Sequence, residues 1–216
     1  MNFVDGLRQL AHLALRVFLR IHCGYRVRGK VRLDCASILV ANHSSHADIA
    51  AIFCALPIGE VSRVRTAAAR DHIYAMPPSA VAAVEFLFNT YPFDRKGGSS
   101  ASLDRGEEFL REGFHLAIFP EGRRSPDGAF LGFTPGFARI AYRTGAPVVP
   151  IRILGAHRAL PRGKAVIQRL PIEVVIRPPL RADTSVPYES RRDAYSTLMR
   201  QTESSLLSGI APLSGS

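Results

Sequence analysis

The chain has 216 residues, which is enough for one sizeable domain with a buried core. Hydrophobic residues make up 47% of it and charged residues 21%, a balance that excludes an intrinsically disordered protein. The formal net charge of +10 indicates an anionic partner such as a phosphate-bearing ligand, an acidic carrier protein or an anionic membrane surface. Nucleic acid is not expected, because the basic residues are spread along the chain, Trp is absent and no nucleic-acid-binding motif is present.

The three cysteines, Cys23, Cys35 and Cys54, are odd in number and lack Cys-x-x-Cys spacing. This pattern supports neither a disulfide framework nor a zinc site. We expect three buried thiols in a reducing compartment.

The first 22 residues predict an amphipathic helix, with apolar residues at helical spacing and polar ones on the other side. Arg8, Arg16 and Arg20 interrupt the run of roughly 20 apolar residues that a membrane span requires. A secretory signal is not expected either, since no separate apolar core precedes a small-residue cleavage site. Two alternatives stay open: a helix whose basic face lies on anionic lipid, or an ordinary helix packed on the domain.

The rest of the chain predicts alternating strands and helices. Residues 25–33 suggest a short strand pair or an extended lead-in, broken at Gly29. Further strands are predicted at 38–41, 63–69, 89–93, 115–119, 147–153 and 172–176. Helices are predicted at 45–56, 79–88, 101–111, 136–144 and 188–207, followed by a small-residue tail at 208–216 that we expect to be disordered. The prolines at 147 and 150 indicate that their strand is an edge strand or has an irregular ladder.

The most informative stretch begins with the apolar run Ile38–Ala41 and breaks into small and polar residues at 42–48. His43 therefore lies where a strand stops and a helix begins, at the carboxyl edge of a sheet, where open α/β folds place ligands. Asp48 lies about one turn along that helix and can reach back to the imidazole. A carboxylate on one ring nitrogen fixes the tautomer and leaves the other nitrogen free to take a proton, so the pair predicts a general base and its orienting group.

Two other interpretations compete for these residues. One is a helix cap, by Ser44 or Ser45, together with a surface ion pair. The other is a metal site, because His43, His46 and Asp48 are all possible ligands. We favour no metal, since helical HExxH-type spacing is absent and His46 would lie on the far side of the turn.

Two basic corners follow later strands. Arg95 lies in the glycine-bearing corner 94–98, and Glu121, Gly122, Arg123 and Arg124 follow the strand at 115–119. A guanidinium at such a corner can grip a phosphate with two parallel hydrogen bonds, and glycine allows the backbone to approach a ligand closely. The alternative is a solvated turn with exposed charges.

Four pieces in order carry a family resemblance: Asn42-His43-x4-Asp48, Pro92-Phe93-Asp94-Arg95, Phe119-Pro120-Glu121-Gly122-Arg123-Arg124-Ser125 and Val149-Pro150-Ile151. Together they resemble the four sequence blocks of the glycerophospholipid acyltransferases, above all the bacterial 1-acylglycerol-3-phosphate acyltransferase type. The resemblance covers roughly residues 37–155.

The resemblance implies an α/β fold: a single domain with a mixed, mostly parallel central sheet flanked by helices, plus an N-terminal amphipathic helix. The expected organisation is a membrane-surface helix at 1–24, an acyltransferase domain at 25–207 and the tail at 208–216. The location implied is peripheral, on the cytoplasmic face of the cell membrane.

The chemistry implied is transfer of a fatty acyl group from acyl-CoA or an acyl carrier protein to the hydroxyl of a lysophospholipid, with no cofactor and no metal. His43 matches the family's base and Asp48 its partner. Arg95, Glu121, Gly122 and Arg124 match positions linked with the acceptor's phosphate.

The chain departs from the family pattern at two positions. Arg123 stands where the family usually has Thr, and Pro135 stands where a lysine is common. An added guanidinium suggests either stronger phosphate binding or a different polar acceptor, so transfer to a glycolipid or a specialised-metabolite hydroxyl stays an alternative. A non-catalytic lipid-binding protein is a further alternative, although lipid binding alone does not call for a base, and a metal-dependent hydrolase is another.

Overall fold

The computed structural model describes residues 3–94, 100–185 and 190–209. Within these ranges seven strands form one sheet with the order β1-β7-β6-β2-β5-β3-β4. The strands are β1 Arg26–Arg28, β2 Ile38–Ala41, β3 Val64–Ala69, β4 Thr90–Phe93, β5 His115–Ile118, β6 Val148–Leu154 and β7 Glu173–Ile176. Only β6 and β7 pair antiparallel among the described strands. The expected mixed, mostly parallel sheet is confirmed.

Helices cover both faces of this sheet. They are α1 Phe3–Cys23, α2 Ala47–Ala55, α3 Pro78–Phe88, α4 Ser100–Arg111, α5 Gly136–Thr144, α6 Ala156–Ala159 and α7 Arg191–Leu207, with a 3-10 turn at Ile58–Arg63. One apolar core joins α1 and α2 to the sheet, and a second joins α4, α5 and α7 to the opposite face. The 3-10 turn and the short α6 are elements that the periodicity did not predict.

Strand β2 lies at the centre of the sheet, between β6 and β5. All four of its residues are buried, because side chains on its two faces enter the two cores. Since β2 runs parallel to β6, β5 and, through β5, to β3 and β4, the carboxyl ends of these strands meet at one edge. That edge carries the candidate site.

The structure corrects the expectation of an edge strand at 147–153, since β6 lies inside the sheet between β2 and β7. The irregular-ladder alternative is the right one. The antiparallel register with β7 covers Ile151–Leu154, and on the other side of Pro150 the contact is an isolated bridge from Val148 to Leu180. The carbonyl of Pro150 accepts a hydrogen bond from the Arg177 amide, so the proline lies where the ladder needs no N–H from it.

Two smaller expectations are also corrected. Residues 25–33 contain one strand rather than a strand pair: β1 pairs in parallel with β7, far along the chain, so no hairpin forms. Cys23 and Cys54 are buried thiols as expected, but Cys35 is exposed, because it lies in the loop that leads into β2.

Three expectations fall wholly or partly outside the described residues. These are the corner that carries Arg95, the start of the last helix before residue 190, and the tail from residue 210 onward.

Of the two alternatives left open for α1, the one with its basic face on lipid is wrong about the orientation of that face. Its polar side faces the protein, where Arg8 Nε donates to Phe86 O at 2.6 Å, His12 Nε2 bonds Leu87 O at 2.7 Å and Arg16 Nη2 donates to Leu56 O at 2.5 Å. These carbonyls belong to the last turn of α3 and the C-cap of α2, which have no amide partner within their own helices. The cationic side chains of α1 therefore cap two helix C-termini.

The apolar side of α1 faces outward in consequence. Phe3 is 81% exposed, Leu10 64% and Ile21 71%. Helix α3, which contacts α1, is mostly apolar, and each of its residues is at least partly exposed. Among the described residues, no helix is both long and apolar enough to cross a bilayer.

A stability comparison tests this orientation. Arg16→Met removes the charged hydrogen bond to the Leu56 carbonyl and should lower the free energy of unfolding by about 1.5–3 kcal/mol. Leu13→Gln, three residues away on the outward side, should change it by less than about 0.5 kcal/mol. Urea denaturation followed by circular dichroism measures both, and equal losses from the two variants would contradict the inverted orientation.

Candidate active site

The loop after β2 is anchored to the neighbouring strand by Asn42. Its side-chain Nδ2 donates to the Ile153 carbonyl at 3.0 Å, and its Oδ1 accepts from the Ile153 amide at 2.7 Å. This two-way pairing with β6 replaces the strand ladder that ends at Ala41. It places the next residue, His43, at the sheet's carboxyl edge.

Asp48 organises the turn that carries His43. One oxygen, Oδ2, accepts from the Ser44 amide at 2.6 Å, the Ser45 amide at 2.7 Å and His43 Nδ1 at 2.9 Å. The Asp48 side chain is 0% exposed. A carboxylate is acceptor-only, so the imidazole bears its proton on Nδ1 when neutral. The predicted pair of His43 and Asp48 is thus in contact, with Nε2 as the ring nitrogen available to a substrate.

The His43 ring is held on a second side by Phe119. The two rings stack with centroids 4.2 Å apart and planes 22° from parallel. The His43 side chain remains 22% exposed and lines a cleft. A ring fixed by a carboxylate and an aromatic face has little freedom to rotate away from a bound hydroxyl.

Glu121 binds the protein backbone through both of its oxygens. Oε1 accepts from the His43 amide at 2.7 Å and Oε2 from the Leu131 amide at 3.0 Å. The His43 carbonyl in turn accepts from the Ser125 amide at 2.8 Å. Burial raises the pKa of Glu121, and these amide bonds oppose that shift. Glu121 therefore joins the loop after β5 to the loop after β2.

The cleft beside His43 has a volume of about 700 Å³, within the range of small-molecule sites. Much of its wall is apolar and comes from six elements or their adjoining loops: Ile49, Ala67, Ala68, Ile73, Val84, Phe88, Phe93, Ile118, Phe119 and Phe137. Residues of β3, β4 and α3 extend the cleft away from the histidine. Such a wall suits a hydrocarbon chain.

Cationic and imidazole side chains also line the cleft. Arg123 and Arg124 come from the loop after β5, Arg162 follows α6, and His46 and His72 complete the group. Of the residues predicted to bind phosphate, the structure brings Gly122, Arg123 and Arg124 to the cleft. Glu121 is instead buried with both oxygens on backbone amides, and Arg95 lies outside the described residues.

The backbone conformation at position 122 favours glycine. Its φ is +69°, a left-handed conformation that side chains disfavour, and a Cβ there would meet open space. Its amide donates to the Phe119 carbonyl at 3.1 Å, closing the turn that presents the two arginines.

The structure offers no support for the metal alternative. Within the described ranges, no group of three His, Cys, Asp or Glu side chains could hold a metal ion. His46, the third ligand considered, stacks on His72 instead. His46 is also the N-cap of α2, without a side-chain cap bond, while Ser45 Oγ accepts from the Ala47 amide at 3.1 Å. Ser45 thus satisfies one amide of the first turn of α2, as the capping interpretation expected, but the His43–Asp48 contact in the same turn is not a surface ion pair, because Asp48 is fully buried.

Sequence reasoning missed several contacts of this site. The Asn42 clamp, the ring of Phe119, His72 and Arg162 carry no local signal, because each depends on residues distant in the chain. For the contact between Phe119 and His43, the available signal was that each residue lies at the end of a predicted strand or just after it, and these two strands pair in parallel.

Comparison with known proteins agrees with this geometry. The sequence model of the Acyltransferase family matches residues 25–154, more than half of the chain. The chain belongs to the Acyltransferase family.

Among individual relatives, the chain is 28% identical over 161 residues to a 1-acyl-sn-glycerol-3-phosphate acyltransferase of Limnanthes douglasii, covering 73% of this chain and 55% of that protein. A Cocos nucifera protein of the same name is 30% identical over 161 residues, covering 73% and 50%. The chain thus spans about half the length of the curated relatives it matches.

A solved structure shares the fold. It is the 1-acyl-sn-glycerophosphate (LPA) acyltransferase PlsC from Thermotoga maritima, with a TM-score of 0.67 and 24% sequence identity, and the match covers 98% of this chain and 86% of that one.

The backbone role of Glu121 gives a test. Glu121→Gln keeps the shape but replaces one acceptor oxygen by an NH2 donor, which must face a backbone N–H of His43 or Leu131. We expect a loss of about 1–3 kcal/mol in the free energy of unfolding. Glu108→Gln is the control, because that exposed ion pair with Arg105 contributes at most about 1 kcal/mol. Thermal denaturation of both compares them, and a Glu121→Gln protein as stable as the control would refute the backbone role.

Proposed function

We propose that the protein is an O-acyltransferase that moves a fatty acyl group from a thioester, acyl-CoA or acyl carrier protein, to the hydroxyl of a lysophospholipid such as 1-acylglycerol-3-phosphate. The observation that carries the proposal is the His43–Asp48 pair beside an apolar cleft that also holds Arg123 and Arg124. Family membership and the names of the relatives support the same reaction.

The base is the neutral imidazole of His43. Nδ1–H donates to Asp48, so Nε2 has a lone pair directed to solvent or substrate. As the acceptor hydroxyl oxygen attacks the thioester carbonyl carbon, Nε2 takes the hydroxyl proton. The carboxylate of Asp48 stabilises the imidazolium that forms, as in hydrolase triads.

Collapse of the tetrahedral intermediate breaks the carbon–sulfur bond and releases a thiolate. A thiol has a pKa of about 8.5, so the thiolate is a good leaving group near neutral pH. The proton held by His43 passes to the sulfur or to water, and the base is restored. No nucleophile from the protein is required.

The acyl chain and the acceptor's phosphate suit different parts of the cleft. Acyl chains fit the apolar wall formed by β3, β4 and α3, which includes Val84, Phe88 and Phe93. The acceptor's phosphate fits the guanidiniums of Arg123 and Arg124, which can form charge-assisted, two-pronged hydrogen bonds. Arg162 adds a third positive charge.

The first experiment is turnover itself. The purified chain is incubated with acyl-CoA or acyl carrier protein and 1-acylglycerol-3-phosphate, and thiol release is followed with a thiol reagent. Acceptor-dependent release supports the proposal. Release without acceptor, or none with either donor, overturns it.

Substitutions at the base test the mechanism. His43→Ala should lower kcat by about 10²–10⁴-fold or more, because general-base assistance is lost. Asp48→Asn should also lower kcat by at least about 10²-fold, since an amide can hold the imidazole in the wrong tautomer. An unchanged melting curve for His43→Ala shows that the fold persists. Unchanged thiol release in that variant would refute the assignment of His43 as the general base.

The proposal extends to a peripheral membrane location on the cytoplasmic face. The outward side of α1 offers Phe3, Leu10 and Ile21 to hydrocarbon, and Arg20 is exposed beside them. The net charge of +10 suits the anionic cytoplasmic leaflet. Because Arg8 and Arg16 bind the protein, attachment depends more on apolar insertion than on these arginines. In this organisation residues 1–24 are a membrane-surface helix and 25–207 the acyltransferase domain.

Vesicle binding tests this location. The double substitution Leu10→Gln and Ile21→Gln should lower partition into vesicles of mixed neutral and anionic lipid by at least tenfold, because each side chain contributes roughly 1.5–3 kcal/mol when fully buried. Leu207→Gln on α7, on the opposite face of the sheet and 46% exposed, is the matched control and should bind as the unmodified protein does. Sedimentation with vesicles measures all three. Equal binding by the double variant would exclude α1 as the lipid contact.

A further inference from the structure

A hydrogen bond joins Arg124 and His72, two residues that line the cleft. Nη2 of Arg124 lies 3.3 Å from Nε2 of His72. A guanidinium has only donors, so Nε2 must act as the acceptor. His72 is therefore neutral in this state and has its proton on Nδ1. The residues are 52 positions apart, and the loop after β3 meets the loop after β5 here.

A second histidine supports the same uncharged state. The rings of His46 and His72 stack with centroids 5.5 Å apart and planes 13° from parallel. Partial burial lowers the pKa of His46, and the neighbouring Arg124, His72 and His43 lower it further, while Asp48 opposes them. Two imidazolium rings at this separation, beside a guanidinium, would repel one another. The stacked contact of His46 and His72 is therefore favoured when the two rings are uncharged.

The charges facing this pair favour an anion. Arg123 and Arg162 line the same cleft, and its acidic residues are Asp71 and Asp127. Asp127 accepts from Ser125 and from the Ala129 amide, so its carboxylate is held in its own turn. A doubly charged anion placed among these arginines would stabilise the imidazolium form of a histidine that touches it.

We propose that the acceptor's phosphate monoester binds between Arg124 and His72 and replaces the hydrogen bond that joins them. Arg124 turns its Nη2 to a phosphate oxygen. His72 takes up one proton from solvent at Nε2 and donates it in a hydrogen bond to a second oxygen. No covalent bond is made or broken. The inference rests on the proposed function and deepens it, since it makes His72 a recognition residue for a phosphate dianion.

The sign of the pH dependence follows. Bound phosphate raises the pKa of His72 above its value in the free protein, so the contribution of His72 to binding is complete at low pH. It is lost as pH rises through the pKa of the complex. Titration of the phosphate and of His43 also affects the rate, but both groups remain in a His72 variant. The ratio of wild-type to His72→Gln activity therefore isolates His72.

The kinetic arm compares the two proteins with 1-acylglycerol-3-phosphate and with monoacylglycerol, which has the same chain and no phosphate. For the phosphate acceptor, kcat/KM of His72→Gln should be about 10- to 100-fold lower than wild type at pH 6 and should approach it at pH 8.5. For monoacylglycerol the two should be equal at every pH. His157→Gln, at a histidine that packs against Gly128 and is not part of the cleft lining, should match wild type on the phosphate acceptor. An equal loss on both acceptors, or a loss independent of pH, would overturn the proposal.

The binding arm does not depend on turnover. Titration with sn-glycerol 3-phosphate, in two buffers of different ionisation enthalpy, should show calorimetric uptake of a proton by wild type at pH 7.5. The His72→Gln protein should take up fewer protons and bind more weakly. Uptake that is unchanged in His72→Gln overturns the inference even if acyl transfer is demonstrated. Uptake that depends on His72 supports it even if no acyl transfer occurs, so the two proposals can fail separately.

Discussion

The carboxylate of Asp48 is the constraint on which the site depends. Its Oδ2 accepts hydrogen bonds from two backbone amides and from the imidazole of His43, in a place with no solvent contact. A buried charge is tolerated only when such donors replace its hydration. The same three bonds shape the turn, start helix α2 and orient the base. Loop conformation and catalytic geometry are therefore a single arrangement, in which the loss of the carboxylate would affect the turn and the tautomer together.

A second buried carboxylate connects this turn to the rest of the cleft. Glu121 lies in the loop after β5, the strand next to β2 in the sheet, and its oxygens accept from the amides of His43 and Leu131. Parallel strands bring their carboxyl ends to one edge, so residues 78 positions apart become neighbours. The ring of Phe119 at the same strand end supports the imidazole from the side. Two carboxylates and one aromatic ring thus hold His43 rigidly while its Nε2 stays accessible.

Helix α1 shows how polar contacts can decide the exposure of an apolar face. Its Arg8, His12 and Arg16 satisfy carbonyls at the ends of α2 and α3 that cannot pair inside their own helices. Burial of these polar side chains at the interface turns Phe3, Leu10 and Ile21 outward. In a water-soluble domain that arrangement would be unfavourable, because apolar side chains that stay in water contribute no free energy of burial. It is favourable where lipid replaces water, which agrees with the proposed membrane attachment.

The sequence by itself determined the features that are local. The buried run at 38–41, the five-residue spacing of His43 and Asp48 and the periodic helices follow from short-range patterns, and the ordered motif blocks indicated the family. Periodicity also separated the two sides of α1 but did not say which side meets the protein, because that depends on the unpaired carbonyls of α2 and α3. Only the tertiary structure placed β6 inside the sheet, since its partners are set by register and not by proline content. The contacts of Asn42 with Ile153, of Glu121 with His43 and of Arg124 with His72 likewise join segments 111, 78 and 52 residues apart. No pattern within one segment encodes them, because each exists only when the parallel strands bring their loops to a common edge.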